Sequence, residues 1–306
     1  MVNRSVLETL LIPVDVTRES EVAYSHARAV AMTGSKMILG RVVPKANDPA
    51  LTTEVATAID AATAMAISAE LRATAERLDP SGRLETEVIV DRPVEGIVHL
   101  AERLHATMIV AATHGRGSIG RWFFGSVTDR LTRVTTIPLL LIRSARVEGR
   151  TYKRLIVPLD GSEIAETAIP VAAEIARAHQ LPVHLVTAID TGQLAVMTAP
   201  LPTGGTPAGI VPELWEVLKQ GADEALRHGA SNAALSGLTV TSETRLGAPF
   251  AVIEEATGPD DLIVLTSHGR SGFQRLMLGS VAEHVVRFAE GPVVLVPHST
   301  VERSKA

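Results

Sequence analysis

No cysteine occurs in the 306 residues, which removes disulfides, thiolate zinc sites and cysteine nucleophiles together. Aromatic residues make up only 3%, too few for the stacking platforms that hold single-stranded nucleic acid. Cationic excess is missing too: the formal charge is −5 and the pI near 6.1, so the chain lacks a general nucleic-acid footprint. Small anions stay open, because backbone amides at a helix start hold phosphate without net positive charge. No apolar run approaches the roughly 20 residues needed to span a bilayer. Met1 to Asp15 shows no signal-peptide layout, its one Arg being followed by a short apolar run broken by Pro13. The expectation is a soluble cytoplasmic protein with no nucleic-acid and no membrane partner.

What is present is a repeat. Residues 114–127 read HGRGSIGRWFFGSV and residues 268–281 read HGRSGFQRLMLGSV. The same offset relates Arg133 to Arg287, Pro138 to Pro292 and Leu141 to Leu295. LLIPVD at 10–15 matches LIVPLD at 155–160 at a slightly shorter offset, so the second half carries a net insertion. The Pro/Gly-rich stretch from Thr191 to Pro212 is where it falls. Two long blocks in the same order predict two tandem domains, 1–146 and 152–299, joined by a short charged linker near Ser144 to Thr151.

Each half alternates short apolar runs with helical patterns, the signature of a parallel sheet with crossover helices. The first half predicts strands near 9–14, 37–43, 85–90, 107–112 and 138–143, with helices near 19–32, 57–78, 94–105 and 126–134. The second predicts strands near 153–158, 182–187, 238–244, 261–266 and 292–297, with helices near 163–178, 212–234, 249–257 and 280–289. Strand runs such as MIVAA, LIVL and PVVLV do not alternate, as expected of strands covered on both faces. Ala61 to Leu78 reads as an Ala-rich helix with one core-facing side.

The strongest motif is the glycine segment after each fourth strand. Gly115 and Gly269 stand where a strand ends, and Gly125-Ser126 and Gly279-Ser280 where a helix begins. A missing Cβ lets backbone approach a ligand, and the helix start offers unpaired N–H groups, dipole and hydroxyl to phosphate oxygens. Ordinary turn glycines and N-cap serines would look the same. No GxxxxGK[ST] occurs, and the GxGxxG at Gly115-Gly117-Gly120 dissolves in the second half at Ser271 and Gln274. Asp15 and Asp160 end each first strand, at the sheet edge that binds ligands; each could accept from a ribose hydroxyl or adenine amine, or simply hold a turn. Arg116, Arg270, Arg121 and Arg275 could offset phosphate charge or be solvated. His114 and His268 lack a catalytic or metal-binding constellation, so no catalytic and no metal residue is assigned.

These residues resemble the universal stress protein family in its tandem, ATP-binding form. That family's signature is glycine, two residues, glycine, nine residues, then glycine with Ser or Thr. Both halves match its second and third glycines and the serine, while Ala112 and Thr266 replace its first glycine. The resemblance implies an α/β fold of two tandem Rossmann-like (adenine nucleotide alpha hydrolase-like) domains. Each would be a five-stranded parallel sheet of order 3-2-1-4-5 with helices on both faces. It implies ATP as ligand, with Mg held mainly by the phosphates. The implied contacts are Pro13, Asp15, Val42, Ala111, Ala112, Gly115, Arg116, Gly125, Ser126, Val127 and Thr128. In the second half they are Pro158, Asp160, Ala188, Leu265, Thr266, Gly269, Arg270, Gly279, Ser280, Val281 and Ala282. The first half is nearer the pattern, and a positive φ at Thr266 would cost roughly 1–3 kcal/mol. A nucleotide-binding regulator of the stress response is implied, with a slow ATPase or phosphotransferase, or an interaction module with vestigial sites, as alternatives. The resemblance also implies an intramolecular pseudo-dimer through the last strands, 138–143 and 292–297, and allows a homodimer of chains. The Thr191–Pro212 stretch is expected to be irregular, either a lid contacting ligand through Val196 and Met197 or a plain linker.

Overall fold

The computed structural model describes residues 4–15, 18–46, 52–113, 125–143, 151–190, 212–267, 278–289 and 291–297. Several expectations fall outside these residues: the loop positions Gly115, Arg116, Gly269 and Arg270 with their flanking His114, His268, Arg121 and Arg275, the linker 144–150, and the stretch 191–211. Two compact units divide the chain between Thr151 and Tyr152.

In the first unit the elements are β1 (Thr9–Pro13), α1 (Arg18–Val30), β2 (Lys36–Val43), α2 (Thr53–Leu78), β3 (Leu84–Val90), α3 (Pro93–Arg103), β4 (Met108–Ala112), α4 (Ser126–Val134) and β5 (Leu139–Ile142). The strands pair in the order β3-β2-β1-β4-β5, all parallel. Leu10, Leu11 and Ile12 of β1 and Ile109 and Val110 of β4 have no exposed surface, which is why these runs show no polar alternation. Leu11 pairs with Ile38 and with Ile109, so the apolar centre of β1 sits between two equally apolar strands.

The second unit repeats the plan with β6 (Arg154–Pro158), α5 (Glu163–Glu166), α6 (Ala168–His179), β7 (Val183–Ile189), α7 (Pro212–Ala230), β8 (Val240–Leu246), α8 (Pro249–Ala256), β9 (Asp261–Thr266), α9 (Ser280–Phe288) and β10 (Val293–Val296). Its strand order is β8-β7-β6-β9-β10, again parallel. The outermost strand β8 (VTSETRL) is half-buried to exposed, and its polar composition suits a sheet edge.

Two helices depart from the sequence expectation for identifiable reasons. The span 163–178 is not one helix: it breaks at Thr167, whose hydroxyl bonds the Ile164 carbonyl. Pro170 lies three residues beyond the break; its ring has no N–H to give and would collide with a helical carbonyl four residues back, at Glu166. The expected helix 212–234 ends at Ala230, and Asn232 then caps a short 3-10 turn, Ala233–Leu235, by accepting from Ala234 N at 3.0 Å.

Candidate functional site

In a parallel α/β sheet every strand delivers its last residue to the same edge, and so do the starts of the following helices. In the second unit that edge holds Pro158 at the end of β6, Ala188 near the end of β7, Leu265 and Thr266 at the end of β9, and Gly279 at the N-cap of α9. Together with Asp160, Ser280, Val281 and Ala282 they line one cavity of about 830 Å³. The second-half positions expected from sequence are thus brought together, apart from Gly269 and Arg270, which lie outside the described residues. A volume of that size belongs to the range of small-molecule pockets.

The α9 end of the cavity is built by backbone. Gly279 N donates to Ser267 O at 2.8 Å, tying the helix start to the strand end, and Gly279 O accepts from Glu283 N at 2.8 Å. No side chain caps this helix. The amides of its first turn therefore face the cavity with the positive end of the helix dipole behind them, an arrangement suited to anionic oxygens. Thr266 is a strand residue paired with Val296, and the positive-φ residues of the described chain do not include it. The backbone objection to a β-branched residue there therefore falls.

The opposite end is set by the loop after β6. Asp160 Oδ1 accepts from Ser162 N at 3.0 Å and from Ser162 Oγ at 2.6 Å. Ser162 Oγ in turn caps α5 by accepting from Ala165 N at 3.1 Å. Asp160 is thus a turn-former that also lines the cavity. Gly161 between them adopts φ +78°, and a Cβ there would come within 3.3 Å of Ala225 Cβ, so this turn needs glycine. Thr187 Oγ1 donates to Leu159 O at 2.7 Å, holding the end of β6 against β7.

Further lining comes from residues the sequence reading missed. Val217, Leu218 and Ala222 of α7 form an apolar wall with Ile189, and Pro249, Val252 and Ile253 of α8 close another side. His228 Nδ1 lies 2.6 Å from Glu166 Oε1, joining the last turn of α7 to α5 at the cavity. Hydrogen bonding to Glu166, then its charge, raises the imidazole pKa above its ordinary value, while burial works weakly against it. Nothing in the spacing of Glu166 and His228 could have announced this pair; it depends on how α7 returns across the sheet. Among the described residues no group of three or more His, Cys, Asp or Glu side chains converges to hold a metal ion.

The first unit places its expected residues in the same way. Pro13 ends β1, exposed Asp15 follows it, Val42 lies near the end of β2, and Ala111 and Ala112 end β4. Gly125 caps α4, donating to Thr113 O at 3.2 Å, and Ser126, exposed, Val127, half-buried, and Thr128, buried, open the helix. Where the second unit uses Thr187, the first uses Arg41, whose Nη1 donates to Val14 O at 3.1 Å. The difference between Val42 and Ala188 is also compensated. A Cβ on Gly96 of α3 would come within 2.6 Å of Val42 Cγ1, whereas Val252 occupies the matching place on α8. Bulk has moved from strand to helix between the two units, and Ala188 and Val252 both line the cavity.

The model of the universal stress protein family matches residues 7–143 and again 151–297. A universal stress protein of Methanocaldococcus jannaschii is 32% identical over 148 residues, covering 47% of this chain and 82% of that protein. One from Mycobacterium tuberculosis is 26% identical over 220 residues, covering 71% of this chain and 70% of its own. Among solved structures, a universal stress protein from Archaeoglobus fulgidus has a TM-score of 0.61 at 19% identity, covering 95% of this chain and 98% of that one. A functionally unknown protein from Pseudomonas aeruginosa reaches 0.65 at 17% identity over 98% of both chains. These two likenesses concern the fold.

Proposed function

Because this chain belongs to the universal stress protein family and carries its domain twice, we propose that it binds ATP and acts as a regulator in the stress response, nucleotide occupancy setting its conformation or partners. The observation that carries the reading is the cavity of the second unit, which gathers three strand ends, an acid and an uncapped helix start. Its parts suit an adenine nucleotide. The amides of Ser280, Val281 and Ala282 would receive phosphate oxygens, with Gly279 leaving room for their approach. Asp160 would accept from a ribose hydroxyl or the adenine amine, and Ala188 and Val252 would flank the base. The bound triphosphate would bring a strong anionic charge and its own Mg, held mainly by the phosphates. The protein's residues bind and orient; the reading assigns none of them a bond-breaking step. The matching edge of the first unit, Asp15 to Thr128, is proposed as a second site.

Native mass spectrometry of gently purified protein, followed by calorimetry with ATP and NAD, tests this. Bound adenine nucleotide, with ATP preferred over NAD, supports the reading. Absence of any nucleotide binding, or tighter binding of NAD, contradicts it.

A further inference from the structure

The outer face of α2 has no partner among the described residues, and its sequence is not that of a solvated face. Val55, Ile59, Ala62, Ala66, Ala69 and Ala73 are all exposed. Their spacing alternates four and three, the 3.5-residue period of helices that pair with helices. Val55 and Ile59 are 45% and 42% exposed, and Met65 beside this seam is 76% exposed. Inward-facing Leu71 and Ala75 are the residues that α2 buries against its own sheet. The repeat supplies an internal control. The helix in the matching place of the second unit, α7, exposes Glu216, Lys219, Gln220, Glu224 and Arg227, and its one large exposed apolar residue among those described, Val217, borders the cavity rather than extending a seam. The fold therefore does not require an apolar outer face at this position, and the first unit has one anyway.

The seam also has a direction. Its bulky residues, Val55 and Ile59, lie at the start of the helix, and its small ones, Ala69 and Ala73, at the end. Two such helices running antiparallel about a two-fold axis near Ala64 set Val55 against Ala73, Ile59 against Ala69 and Ala62 against Ala66. Each large side chain then meets a small one, and the helix dipoles oppose favourably. In that register Glu70 faces Ala58 and Arg72 faces Ala56, so no like charges are opposed. Parallel pairing would stack large on large at one end and leave alanines facing alanines at the other. We propose that this face of α2 is where a second copy of the chain docks, antiparallel, through the Val55–Ala73 seam.

A cysteine-free chain makes the test clean, since any introduced cysteine is the only one present. Val55→Cys and Ala73→Cys proteins are oxidised separately and as a mixture, with Glu216→Cys on α7 as control. The docking requires disulfide-linked dimers from the mixture, little from either variant alone, and none from the control. Met65→Cys, beside its own symmetry mate, should link to itself. Self-linking of both Val55→Cys and Ala73→Cys would mean a parallel pair, and no linking in the mixture would mean no such interface; either overturns the proposal. Sedimentation gives an independent readout. Ala62→Glu, on an exposed site where Glu keeps the helix, should halve the assembly mass. A wild-type mass of 32.4 kDa at micromolar concentration, or a mass unchanged by Ala62→Glu, also overturns it.

Discussion

Val42 and Ala188 occupy matching places in the two units. The structure shows an exchange of bulk, because the matching helix position holds Gly96 on α3 and Val252 on α8. Gly96→Ala should therefore destabilise the first unit by about 1–3 kcal/mol, overpacking outweighing the gain in helix propensity. Val42→Ala added to it should restore most of the loss, which denaturant melts of the single and double variants will show. His228 offers a second residue-scale check. Its exposed imidazole is held by Glu166, so its pKa measured by NMR should lie above the ordinary 6.5 and fall back in Glu166→Gln. Since the folded-state pKa is raised, whatever stability the pair gives is fully present below 6.5 and disappears as pH rises through the raised value. An unshifted His228 would remove the pair from the account.

At the scale of elements, most strands and helices were legible because apolar runs and their breakers announce them. Strand 261–266 and helix 126–134 match the expected spans, and the other strand ends move by one or two residues. Less legible were features that depend on a single side chain acting at a distance in sequence. Pro170 split a predicted helix, and the starts of β6 and β9 are joined by a pair that composition does not reveal. Arg154 donates to Asp261 at 2.9–3.0 Å, and Asp261, only 4% exposed, also accepts from Gly258 N at 2.7 Å. In the first unit the matching places hold Thr9 and Thr107, where Thr107 Oγ1 accepts from Thr9 N at 2.9 Å. Asp261→Ala leaves the Gly258 amide without its acceptor and the Arg154 guanidinium without its carboxylate, holding only the Ala256 carbonyl at 2.8 Å. We expect a loss of about 3 kcal/mol in denaturant unfolding, near the low end for a broken buried pair because Arg154 is partly exposed. A loss below about 1 kcal/mol would place this pair with ordinary surface bridges.

For the whole molecule, the repeat made the fold readable: each half checks the other, and glycine segments kept in both halves mark the sheet edge where the cavity lies. What the repeat could not show is where the halves differ in use. The bulk exchange, the Glu166–His228 link and the apolar outer face of α2 all arise from differences between copies, which read in sequence as drift. The sequence favoured the first half as a nucleotide site, yet the cavity described lies in the second, where Thr266 sits in unstrained strand conformation. The central claim is that this cavity binds ATP through the start of α9. The direct measurement is calorimetric titration of ATP into the wild-type chain and Gly279→Val, with melting curves to confirm both are folded. The account predicts that Gly279→Val weakens or removes one binding event by at least about tenfold, roughly 1.4 kcal/mol. An ATP isotherm unchanged by Gly279→Val, or none in the wild-type protein, would contradict it.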